Sequence, residues 1–301
     1  MLSYWTGVAT LTGIYLIATL GVSILVGFTG LFSLGHAGFM AIGAYGTALA
    51  VKMLHLPFYA AILVGILASM LAGALIGKAT LRLKGDYFVI ATLAIGECTK
   101  LLIENIPSIT GGARGLADIP RKTNFFVVWT ILVIVVVLLH RFLNAKHGRG
   151  CVAVREEELA AKSIGIDTTR TKMLSLLISC ALCGMAGGLL AGYMGYLYPI
   201  MFTMAKSNEL TMTVILGGAG SLTGTILAGL VLIPLPEYLR IESAEEWRMV
   251  LYGVLVVIVV VFKPSGLMGN KEFTVSGLLR RLKKWFSKEK RNGEKGAGER
   301  G

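Results

Sequence analysis

The sequence predicts an all-α polytopic membrane protein with about eight (six to ten) transmembrane or re-entrant helices. Two observations carry that expectation. The 301 residues are 55% hydrophobic and only 15% charged, against about 25% charged in an ordinary soluble protein. The charges are also absent from whole stretches: residues 1–51, 53–77, 123–139, 173–205 and 210–236 contain no Asp, Glu, Lys or Arg. A bilayer core needs roughly 20 apolar residues per helix. Four of the five runs are long enough and 123–139 is at the short limit. One buried helix of a soluble protein could not give this pattern.

Spanning helices are expected near 6–26, 57–80, 86–104, 123–141, 173–196 and 249–263. No cleaved leader is expected, because no basic segment precedes the first apolar run. Two further stretches, 27–51 and 209–233, are apolar but glycine-rich and interrupted by small polar residues. Glycine costs about 1 kcal/mol per helix position against alanine. In a membrane it is tolerated where helices pack closely or where the backbone breaks beside a cavity. Both stretches carry a Ser-Leu step, Ser33-Leu34-Gly35 and Ser221-Leu222-Thr223-Gly224, which suggests an internal repeat.

Charge placement sets the topology. The net charge of +12 is concentrated in 141–172 and in the tail from Lys263 to Arg300. In a membrane protein such segments are cytoplasmic, so the basicity argues for no nucleic-acid partner. The expected organisation is a membrane domain over 1–270, with a cytoplasmic loop at 142–172, and a basic, disordered cytoplasmic tail over 271–301. Helices 173–196 and 249–263 already supply the two crossings that parity requires. Region 209–233 must then enter and leave on one side. Its residues are too few for two full spans at roughly 1.5 Å rise each, so a re-entrant or broken segment is expected.

Few residues offer chemistry. The cytoplasmic segment GRGCVAVREEELAAKSIGIDTTRTK is amphipathic and too polar to span. Val152, Leu159 and Ile164 lie at roughly helical spacing, Gly165 ends the pattern, and Asp167-Thr168-Thr169 can cap the next helix. Such a helix suits a groove on a partner, although an ion-paired solvated loop explains the pattern too. His36, inside the uncharged N-terminal run, is either a pathway residue or a packing histidine. Glu97 lies about 16 Å along the helix that Asp86 begins, which is mid-bilayer if the segment spans. It is either a functional carboxylate or part of a Glu97–Lys100–Glu104 ion-pair cluster. The turn Thr110-Gly111-Gly112 is an external loop facing a delivery partner or an ordinary glycine turn. Cys180 and Cys183, a lone C-x-x-C, lie in an apolar run that offers neither redox access nor further metal ligands.

Two decoys are set aside. GALIGKAT at 73–80 has Ala72 where a phosphate-binding loop needs its first glycine, and Ala79 where it needs Ser or Thr. GAGSLTG at 218–224 has one residue too many for a dinucleotide turn. No nucleotide site, cofactor, metal cluster or nucleophile–base pair is expected, so the chain itself is not expected to be an enzyme.

GFTGLFSLGHAGFMAIGAY, LKGDYFVIATLAIGE, TGGARGL, REEELAAKSIGI, VILGGAGSLTG and FKPSGLMG follow one another as in the high-affinity branched-chain amino acid permeases. The chain resembles their LivM type over roughly residues 20–270. The resemblance implies the permease fold of an ATP-driven ABC importer in the cell (inner or plasma) membrane. The partners it implies are separate ATP-binding subunits, a second, LivH-type permease subunit, an external solute-binding protein and the lipid bilayer. It implies that Arg155, Glu156, Glu157, Glu158, Ala160, Ser163 and Gly165 form the ATPase-coupling segment. Ser33, Gly35, His36 and Glu97, with Gly217, Gly218, Gly220 and Ser221, are then expected along the translocation pathway. Two rival readings stay open: an ABC permease for urea, short amides or other small polar solutes, and a proton-coupled carrier using Glu97 and His36.

Overall fold

The computed structural model describes residues 2–83 and 85–235, together with the single positions Gly253, Val257 and Gly266. The expected helix at 249–263 and the expected tail at 271–301 therefore lie outside the described residues.

The regular structure of the described residues is helical, apart from one isolated β-bridge between Leu116 and Leu197. Helix α1 (Leu2–Val22) runs on into a π-helical stretch, Ser23–Phe28. After a break at 29–35 follow α2 (His36–Leu54), α3 (Phe58–Thr80), α4 (Asp86–Glu104) and the short α5 (Pro107–Thr110). Then come α6 (Phe125–Asn144), α7 (Lys146–Glu156), α8 (Glu158–Ser163) and α9 (Thr168–Met194). The last described helices are α10 (Met204–Gly217) and α11 (Leu222–Leu232). Among the described residues five segments are long and apolar enough to cross a bilayer: Tyr4–Phe28, His36–Leu54, Phe58–Thr80, Phe125–Asn144 and Thr168–Met194. The protein is thus an all-α, multi-pass membrane protein.

α9 is the axis of the bundle and packs on α1, α2 and α3. Lipid tails are as apolar as leucine, so membrane helices gain from close backbone approach rather than from burying leucine. The glycines provide it. A side chain on Gly43 would collide with the backbone of Gly184, and one on Gly187 with the carbonyl of Met40. Ser69 Oγ lies 3.1 Å from the Phe39 carbonyl oxygen and 2.8 Å from that of Cys180, so one hydroxyl of α3 joins α2 and α9. The outward face of α3 carries Leu63, Leu67, Leu71 and Leu75, while Gly65, Ser69, Gly73 and Gly77 face inward. Leucine out and glycine in is the reverse of a soluble helix and suits an outer face set in an apolar surrounding.

Three expectations change in detail. Region 27–51 is not simply broken: its second part is the start of α2, a helix long enough to span. Its glycines cost helix propensity but are the positions where α2 meets α4, α3 and α9. Segment 86–104 does form α4, yet α4 is not among the five spans, because Asp86, Glu97, Lys100 and Glu104 dilute its apolar character. Of the expected cluster only Glu97 and Lys100 form an ion pair among the described residues, at 3.4 Å. The single surface helix expected around 151–166 is two helices, parted at Glu157 by an extended backbone (φ −158°, ψ 108°).

Candidate functional site

The site is built where two helices end. A helix leaves its last four carbonyls without internal partners, and in a buried end these must be satisfied. At the end of the α1 π-helical stretch the Leu31 amide donates to the Leu25 carbonyl at 3.0 Å. Thr29 Oγ1 lies 2.9 Å from the Ile24 carbonyl and 2.8 Å from Ser175 Oγ on α9. The Gly27 carbonyl receives the Arg155 Nη1–H at 2.8 Å. Arg155 comes from α7, a segment distant in sequence. Gly30 has φ +73°, and a Cβ there would lie 2.8 Å from Arg155 Cγ. A side chain at position 30 would therefore block the path of the arginine stem as well as strain the backbone.

The second helix end is that of α10. Gly218 and Gly220 adopt φ +114° and +98°, the chain turns, and Ser221 caps α11 by accepting the Gly224 amide at 3.0 Å. Gly217 packs so tightly on α11 that a Cβ would come within 2.7 Å of the Gly224 carbonyl carbon. The Ala219 carbonyl oxygen lies 3.4 Å from the same Arg155 Nη1. Gly266 is buried with its backbone against Gly218.

The two breaks meet. A Cβ on Gly27 would lie 3.4 Å from the Gly220 amide nitrogen. Thr211 Oγ1 on α10 donates to the Ser33 carbonyl at 3.3 Å, and Ser207 Oγ accepts the Ala37 amide at 2.9 Å, satisfying the buried start of α2. Gly35, the residue before α2, packs directly on the Thr92 carbonyl of α4. Beside it Thr92 Oγ1 accepts the Leu34 amide at 3.2 Å. His36 is fully buried, and neither ring nitrogen has a hydrogen-bond partner among the described residues. Glu97 stands across the same region: its Oε1 accepts the Met204 amide at 2.9 Å at the start of α10. Leu34, Ala37, Leu93, Glu97, Phe202 and Ser207 line a crevice there that is too narrow to admit water.

The polar segment lies beneath. Glu156 ends α7, is 66% exposed, and pairs with Arg155 at 2.7 Å, whereas the Arg155 side chain is only 18% exposed. Glu157 is the exposed hinge between α7 and α8. Glu158 opens α8 and holds Lys172 of α9 at 2.6 Å. Ala160 and Ser163 lie exposed along α8, with the Ser163 hydroxyl donating to the Ala160 carbonyl at 2.8 Å. Gly165 follows α8 in a left-handed conformation, φ +85°. Asp167 then caps α9 by accepting the Arg170 amide at 3.0 Å. Leu159 and Ile164 are each 76% exposed.

The fold thus gathers Ser33, Gly35, His36, Gly217, Gly218, Gly220 and Ser221 around two touching helix breaks, with Arg155 beneath both. Sequence reasoning missed Gly27, Gly30, Ser207 and Thr211, which make the junction. It also missed Lys206, whose ammonium lies 2.6 Å from Glu209 and 4.1 Å from the centre of the Tyr15 ring. A Lys/Glu pair three residues apart, bounding two uncharged runs, was the available signal.

The family described as branched-chain amino acid transport system, permease component, matches residues 4–260. The chain is similar to the high-affinity branched-chain amino acid transport system permease protein LivM of Salmonella typhimurium (strain LT2), at 36% identity over 87% of this chain and 69% of the relative. The Escherichia coli (strain K12) LivM is 35% identical over the same shares. The Escherichia coli LivH permease protein is 26% identical over 87% of this chain and 94% of its own length. A match over residues 4–260, which takes in the five described spanning segments and both breaks, leaves one assignment: this chain belongs to the branched-chain amino acid transport system permease family.

Proposed function

We propose that this chain is the LivM-type permease subunit of an ATP-driven importer. It translocates leucine, isoleucine or valine, delivered to its outer face by an external binding protein. ATP is hydrolysed on separate subunits, and a LivH-type permease completes the membrane unit. The observation that carries the reading is that the exposed α8 follows directly on α7, which is bonded to both breaks. Leu159 and Ile164 stand out from the polar end of the bundle, which is what a helix docked in a partner's groove requires. The preceding helix, α7, bonds directly to the two interrupted helices. Basic residues on this segment support a cytoplasmic position. The likeness to LivM, at 36% identity, supports the substrate class.

The pathway in this reading runs past the breaks. Helix breaks at membrane depth expose backbone only where it is buried or faces a cavity. Here the crevice between α2, α4 and α10 is narrow and lined by Glu97 and Ser207, beside both breaks. The test is reconstitution of the assembled transporter with its binding protein in liposomes. The expected result is ATP-dependent uptake of a branched-chain amino acid, with hydrolysis stimulated by the loaded binding protein. Uptake that survives ATP depletion and collapses with the proton gradient would overturn it.

A further inference from the structure

We propose that Arg155 is the tie through which α7 moves both helix breaks as one body. The inference rests on the importer reading above and adds how a motion of the polar segment reaches the pathway. Its guanidinium donates to Gly27 at the end of the α1 π-helical stretch and reaches Ala219 at the turn after α10. Gly27 lies in the last turn of its helix, which carries partial negative charge and favours a cation, and Ala219 lies in the turn that follows the end of α10. One planar, always-charged group serves the two carbonyls through Nη1 and Glu156 through Nε and Nη2, a spread of donors that a compact ammonium does not match with the same geometry. The charge is turned inward, with 18% of the side chain exposed, and Glu156 balances it from the solvent side.

The surroundings enforce this placement. Gly30 leaves room for the arginine stem, and the break carrying it touches the second break at Gly220. A second link runs in parallel: Cys151 Sγ on α7 lies 3.2 Å from Ser175 Oγ, which Thr29 also meets. α7 is therefore bonded to the first break through Arg155 and through Ser175, but among the described residues only Arg155 bonds it to the second. Removing the guanidinium leaves the Gly27 carbonyl buried and unpaired, and it frees the turn at 218–221 from α7. Arg155 is in this sense a positioning residue, with no contact to substrate required.

The test uses the assembled transporter in lipid nanodiscs and two readouts. Hydrogen exchange should rise about tenfold at 24–31 and at 215–222 together in Arg155→Ala, with α9 unchanged. The amount of leucine imported per ATP hydrolysed should fall about tenfold, and Arg155→Lys should recover part of each effect. Gly30→Ala, which displaces the arginine without removing its charge, should reproduce the pattern if Arg155→Ala folds poorly. Exchange that rises at one break alone, or uptake and hydrolysis that fall in proportion, would overturn the tie. A wild-type complex that ignores leucine would instead overturn the importer reading, and the exchange measurement would still decide the role of Arg155.

Discussion

Glu97 closes the start of α10: its Oε1 accepts the Met204 amide at 2.9 Å, from a helix over a hundred residues earlier in the chain. Thr203, the residue in the capping position, makes no side-chain cap of its own. A carboxylate at a helix N-terminus satisfies an orphan amide and opposes the helix dipole. Glu97 also holds Lys100 at 3.4 Å, so its second oxygen has a partner within α4.

Replacing Glu97 with alanine should therefore cost about 0.5–2 kcal/mol, the usual range for losing a cap. Glu97→Gln keeps an acceptor oxygen and should retain most of that stability. Thermal unfolding of the purified protein in detergent would measure both. If glutamine is as damaging as alanine, the charge and not the hydrogen bond holds α10 in place.

This contact also marks the limit of what the residues disclose by themselves. The span 57–80 was legible because residues 53–77 are uncharged, and the structure places it at Phe58–Thr80, with Lys78 in the last turn. Gly165 and Asp167 were legible as local end signals, since a left-handed glycine and an Asn/Asp/Ser/Thr cap act within a few residues. The start of α2 was obscured because Gly38, Gly43 and Gly46 lower helix propensity, and only packing against Gly96, Gly184 and Gly65 repays it. The division at Glu157 was equally hidden. REEEL reads as one helix, but Arg155 bonds inward to Gly27 while Glu158 pairs with Lys172 of α9. Both directions are long-range contacts that no local pattern encodes.

The glycine contacts of α9 predict a sharp sensitivity. A methyl at Gly187 would strike the Met40 carbonyl, a backbone atom that cannot rotate away. Gly187→Ala should destabilise by about 1–3 kcal/mol or more, as overpacking does. Gly253→Ala, an exposed position where a Cβ meets nothing within 4 Å among the described residues, is the control. The yield of monodisperse protein by size-exclusion chromatography should fall for the first and not for the second.

The Ser69 hydroxyl predicts a smaller effect. It reaches carbonyls on two neighbouring helices, yet interhelical hydrogen bonds in membranes average only about 0.6 kcal/mol, with a maximum near about 1.7. Ser69→Ala should therefore shift unfolding modestly, because alanine fits the site and the carbonyls keep their helical bonds. Ser69→Leu should be far worse, since its extra volume would press on Gly184, where an added Cβ already lies 2.6 Å from Ser69 Cβ. Chemical unfolding in mixed micelles would rank the two, and equal losses would contradict the close-packing account.

The exposed side chains of the polar segment give the sharpest functional prediction. Leu159 and Ile164 are each 76% exposed and make no contribution to the core. Burying a leucine or isoleucine in a partner's groove contributes roughly 1.5–3 kcal/mol, or about one to two powers of ten in affinity. Leu159→Asp and Ile164→Asp should leave the stability of the isolated chain near that of the parent, because neither packs within it. Each should weaken co-purification of the ATP-binding subunits by about tenfold or more, and uptake should fall with the assembled fraction. Arg155→Ala predicts the opposite pattern: the subunits stay bound, and imported substrate per ATP declines. Comparing the two classes of variant separates the surface that holds the partner from the contact that passes its motion to the helix breaks.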